Sequence, residues 1–154
     1  MNESARIAIA IQRTVTGPVW HGTPLAELLH GVSAVDASAR PIAGAHTIWE
    51  LVLHLTAWAR IVEQRVPLLP VPEATDAEDW PAMPASPTPR AWNATLARLG
   101  EAHESLARRT AALDPSALDR RVPSRDYTLR DMLHGVPEHG AYHGGQIALL
   151  RRAR

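Results

Sequence analysis

The sequence predicts an all-α chain: a four-helix bundle with a long connection between its second and third long helices. Three observations carry this. Apolar residues recur with helical period along four stretches. No segment shows the strict alternation of a half-buried strand. Proline-bearing breaks separate the stretches from one another. At 154 residues the chain has the length of one ordinary domain, taken as residues 1–154, and can bury a core without staples.

The first helix is expected over residues 2 to 15, with Ile7, Ala10, Ile11 and Thr14 on one face and Gly17-Pro18 as its stop. Thr23-Pro24 supplies a hydroxyl cap and a first-turn proline for a shorter helix from Leu25 to His30. Ser33 to Arg40 reads as a turn or helical stub before Pro41. From about Ala45 to Val66, Ile48, Leu51, Leu55, Trp58 and Val62 form one stripe of a long helix that Pro67 ends. The proline-rich stretch PLLPVPEATDAEDWPAMPASPTPR follows. At about two dozen residues it far exceeds ordinary loops, so it can cross the bundle and join parallel helices. The third long helix, about Thr88 to Leu113, presents Trp92, Leu96, Leu99, His103 and Leu106 before Asp114-Pro115 breaks it. The last begins at Thr128, where Thr128 and Asp131 fit a capping box, and Pro137 is expected to interrupt it.

Composition narrows the function. Apolar residues make up 45% of the chain, which opposes disorder, and 16 basic residues balance 16 acidic ones. With no basic run, a nucleic-acid partner is not expected. There is no cysteine, which removes disulfides, thiolate nucleophiles and cysteine-ligated zinc. No stretch approaches the roughly 20 apolar residues of a membrane helix, and the N-terminus lacks signal-peptide character. A cytoplasmic protein with no membrane partner is the expectation.

Chemistry concentrates in the eight histidines. His139 and His143 sit one helical turn apart, on the side that also carries Met132, Val136, Gln146, Ile147 and Leu150. Buried imidazoles need partners for their nitrogens, and one metal ion serves two at once. His54, between Leu51 and Trp58 on the inward stripe of the second long helix, is the third candidate. Three imidazoles from two helices can hold zinc or nickel and leave a coordination position open. Each histidine alone also reads as a core residue with a hydrogen-bond partner; the coincidence of three inward faces favours the metal. His134 falls about 140° from His139 on a regular helix and should point away; a bend at Pro137 would make it a reserve ligand. His21, His30 and His46 fall in loops or at helix ends, and His103, beside Glu101 and Glu104, reads as solvated. Glu50, one turn before His54, could accept a hydrogen bond from it or act as a base; a plain surface glutamate is the competing reading. Tyr142 and Gln146 could orient imidazoles, and Trp49, Trp58 and Trp92 could line a pocket or fill the core. The HExxH, HxxEH, GxSxG, P-loop and dinucleotide patterns are absent.

HTIWELVLHLTAW and the later DYTLRDMLHGVPEHGAYHGGQI together resemble the DinB-like (YfiT-like) superfamily. WHGTPLAELLHGVSAVDASARP resembles its N-terminal part, and EDWP with AWNATLARL its middle, so the resemblance covers nearly the whole chain. It implies a four-helix bundle, often a homodimer, with zinc or nickel on His54, His139 and His143. It further implies a metal-dependent transferase or isomerase using a low-molecular-weight thiol cosubstrate, or a metal-dependent hydrolase, acting on a small molecule. The other readings are a noncatalytic module stapled by metal, connected with stress response, and a metal-free small-ligand or dimerisation domain.

Overall fold

Capping chemistry sets where the helices begin. The computed structural model describes residues 1–153, which contain helices and no strand. Helix α1, Glu3–Thr16, starts at Asn2, whose side chain accepts from the Ala5 amide. Two short helices follow, α2 Leu25–Leu29 and α3 Ala34–Ser38. Helix α4, Ile48–Arg65, opens with a reciprocal box: the Glu50 amide donates to Thr47 Oγ1 while the Thr47 amide donates to the Glu50 carboxylate. A one-turn helix, α5 Asp76–Asp79, lies inside the long connection, where no helix is expected from periodicity. Helix α6, Pro89–Ala111, has Thr88 as its cap and proline in its first turn. A 3₁₀ turn, Pro115–Asp119, leads to α7, Leu129–Arg152, whose cap is the expected box of Thr128 and Asp131.

Helix α7 differs from expectation: it runs unbroken through Pro137. Proline deprives a helix interior of one hydrogen bond and crowds the preceding turn, at about 3 kcal/mol. Helix α7 packs against both α1 and α4. Leu129, Leu133 and Val136 before the proline and Ile147 and Leu150 after it are buried, and that packing offsets the local loss.

Helices α1 and α4 each pack against both α6 and α7. The buried residues form two clusters. One gathers Trp49, Leu51, Leu55, Trp92 and Ile147; the other gathers Ile7, Ile11, Ala59, Leu106, Leu133 and Val136. On α7 His139 and His143 lie between these groups, and on α4 His54 sits beside Leu55 at the end of the first, just before Ala59 of the second. The chain thus puts its imidazoles where two apolar clusters meet. Among the described residues no helix is long and apolar enough to cross a membrane.

Candidate metal centre

His54, His139 and His143 converge, with one ligand nitrogen from each lying within 4.8 Å of the other two. The Nε2 atoms of His54 and His139 are 3.0 Å apart, and the ring centroids of His139 and His143 are 4.5 Å apart. His54 and His143 are buried and His139 is half-buried.

The outer nitrogens fix two of the rings. His54 Nδ1 lies 2.7 Å from the carbonyl oxygen of Asp79 and 3.2 Å from its carboxylate. A carbonyl only accepts, so His54 carries its proton on Nδ1 and turns an Nε2 lone pair inward. His143 Nδ1 donates to Gln146 Oε1 at 2.6 Å and is set the same way. Burial is the first cause of the lowered pKa values of all three histidines. For His139, repulsion from His143 and His54 adds to it and brings the value to about 4. Near neutral pH the site is therefore three uncharged imidazoles, the form in which histidine binds metal.

The donor set fits a divalent ion. Two nitrogens that share one ion at about 2.0–2.1 Å lie roughly 3 Å apart, which is the separation of His54 Nε2 from His139 Nε2. Without an ion, a neutral His139 with its proton on Nε2 would donate to the His54 Nε2 lone pair across the same distance.

The long connection completes the surround. Trp80 stacks on His54 with centroids 4.0 Å apart and rings inclined 9°, and His46 also stacks on Trp80, with centroids 3.6 Å apart. Trp58 Nε1 donates to Asp79 Oδ1 at 2.6 Å, which steadies the residue that orients His54. Beside His54 and His139 opens a cavity of about 410 Å³, walled by Leu55, Trp58, Val62 and Val136 and reaching Arg65 and Tyr127.

A sequence model of the DinB superfamily matches residues 19–147. The chain belongs to the DinB superfamily. No curated protein and no solved structure matches it.

In this DinB-superfamily chain the expected histidine trio comes together, and the other assignments divide. Gln146 meets His143 as anticipated, whereas Tyr142 is exposed and touches His143 only by its ring edge. Trp49 and Trp92 are core and Trp58 lines the cavity. His134 points to the surface, 3.8 Å from Glu3. Glu50 does not contact His54: its carboxylate closes the α4 capping box and pairs with Arg40 at 2.8 Å. His103 corrects the solvated reading. It is 2% exposed, donates from Nδ1 to the Leu99 carbonyl at 2.9 Å and lines the cavity. Its neighbours Glu101 and Glu104 lie on other faces of α6, while Leu99, one turn earlier, shares its buried side.

Sequence reasoning missed Asp79, Trp80 and the Trp80 contact of His46. The only signal was the EDWP segment, whose family resemblance marked the place without giving it a role.

Proposed function

We propose that the four long helices form a single-domain four-helix bundle in which His54, His139 and His143 hold one zinc or nickel ion. The site would serve a metal-dependent transferase or hydrolase in the cytoplasm, acting on a small molecule with a low-molecular-weight thiol or water as nucleophile. The observation that carries this reading is the 3.0 Å approach of two Nε2 atoms, with the outer nitrogens of His54 and His143 already engaged. A divalent ion bound there supplies Lewis acidity and makes a thiol or water anionic near neutral pH.

The residues of the chain do the rest. Asp79 and Gln146 hold His54 and His143 in the tautomer that offers Nε2. Trp80 covers one face of His54 and limits water there. The apolar wall of Leu55, Trp58 and Val62 receives the substrate body. Three ligands, two of them lining a cavity, suit a site with a free coordination position, whereas structural zinc usually fills all four. Glu50 has no part in this scheme, since its carboxylate is occupied at the helix start.

Metal analysis of the purified full chain, after equilibration with zinc or nickel and desalting, tests the reading. One ion per chain is expected, with H54A and H143A retaining a tenth or less and E50Q retaining all of it. A wild-type chain that stays metal-free, or histidine variants that load normally, would remove the proposal. The homodimer belongs to the same reading, and a single-chain mass in sedimentation velocity would remove that part.

A further inference from the structure

At the end of the cavity away from the imidazoles sits an arginine whose charge is poorly answered. Arg65 is 3% exposed, lines the cavity and lies three turns beyond His54 on nearly the same face of α4. Its Nη1 donates to the Tyr127 hydroxyl at 3.1 Å. Its Nε and Nη2 are buried and have no hydrogen-bond partner among the described residues. These two atoms form the side-on edge of the guanidinium, the edge that takes a carboxylate through two parallel hydrogen bonds. Burying a cation with two empty donors is costly unless something answers it.

Glu73 of the long connection is the carboxylate within ion-pair reach, at 3.8 Å from Nη2, too far for a hydrogen bond. It is 75% exposed and leans closer to Arg125, at 3.0 Å. Arg125 is itself nearly buried, with an unpartnered Nε. Two enclosed guanidiniums thus share one solvated carboxylate, which leaves an excess positive charge at this end. Trp58 joins the ends of the cavity. Its ring lies 5.8 Å from the Arg65 guanidinium carbon and 6.4 Å and 6.1 Å from the rings of His54 and His139.

We propose that the cavity takes a small carboxylic acid, its carboxylate on the Nε–Nη2 edge of Arg65 in place of Glu73 and its apolar body along Trp58 towards the three imidazoles. What the far end of that acid meets rests on the metal reading above; the binding of its carboxylate does not. The two-donor edge can take a carboxylate or a phosphate; the place is now held by a carboxylate, that of Glu73, which favours a carboxylic acid, and phenyl phosphate is the competing outcome of the test. Arg65 is a binding residue in this scheme, and Glu73 is a surrogate that the ligand displaces.

The test is calorimetric titration of metal-free full-length protein with benzoate, benzamide and phenyl phosphate. Benzoate is expected to bind at least tenfold more tightly than uncharged benzamide. R65Q should abolish that preference, R65K should keep the charge but lose most of the affinity, and E73Q should strengthen benzoate severalfold. If R65Q fails to fold, R65K and the exposed-site variant E73Q decide the matter. Equal affinity for benzoate and benzamide would overturn the proposal. So would a preference retained in R65K at full strength, an E73Q variant that binds benzoate no better, or phenyl phosphate favoured tenfold over benzoate. Because every titration omits metal, failure here leaves the metal-content result standing, and failure of metal loading leaves this one standing.

Discussion

A neutral imidazole sealed in a helical core makes a protein sensitive to acid, and His103 is such a group. Burial lowers its pKa, with the Leu99 carbonyl pulling weakly the other way. In the unfolded chain the ring takes its proton near the ordinary 6.5; in the folded chain it resists until lower pH. Stability from this group is complete above 6.5 and drains away as pH falls from there through the lowered folded value. His54, His139 and His143 shift in the same direction. The melting temperature of the metal-free protein should fall by several degrees between pH 7.5 and 5, above the range where carboxylates titrate. H103N should show a shallower fall, and an equal slope in wild type and variant would contradict the assignment. At this scale the sequence was partly legible. His54, His139 and His143 could be found because each occupies the apolar stripe of a long helix, where a polar residue stands out against the period. Asp79 and Trp80 could not. They sit in a proline-rich stretch with no period to read, and Asp79 reaches a partner 25 positions away. Glu50 misled because the helical turn that sets it near His54 also makes it the third residue after a capping threonine, and the cap won.

Among the elements, α7 is positioned by what it lacks. A Cβ built on Gly140 would stand 2.1 Å from Thr14 Cγ2 of α1, an impossible contact, whereas one on Gly144 would meet Leu28 at an ordinary 3.4 Å. Gly140 adjoins His139, so the close approach of α1 and α7 also sets the position of a candidate ligand. Thr14 yields poorly, because its hydroxyl donates to the Ala10 carbonyl at 3.0 Å and its branched side chain is stiff. G140A should cost about 1–3 kcal/mol through overpacking, against roughly 1 kcal/mol that alanine gains by helix propensity. T14S, which removes the obstructing methyl, should restore most of the loss, and G144A should be near neutral. Thermal melts of the four proteins decide it; a G140A variant as stable as wild type would mean that the helices shift apart easily. The cap of α7 was readable as Thr-x-x-Asp, since the box depends only on local spacing, whereas the same pattern at Thr47 and Glu50 went unread because the helix was traced back to Ala45. The continuity of α7 through Pro137 was not readable, because it depends on packing against α1 and α4 that no local pattern encodes.

For the molecule as a whole, the candidate centre joins residues 54, 79, 139 and 143, so it exists only once α4, the connection and α7 have come together. Any ion it holds binds the folded chain in preference to the unfolded one and raises stability by mass action. At a free concentration a hundredfold above Kd this amounts to about 2.7 kcal/mol, or roughly 5–10 °C for a chain of this size. Adding a chelator to zinc- or nickel-loaded protein should lower the melting temperature by about that amount and leave H139A unaffected. A far larger collapse would favour the metal staple over an open reactive site. No change in the wild type would argue that nothing binds.

The stacking of Trp80 against His54 has a practical side. Of five indoles in the chain, this one lies face to face with a candidate ligand ring, so a change of charge or electron density on that imidazole reaches a natural fluorophore directly. Trp80 emission is thus expected to report, with no label attached, on any ion the candidate centre takes.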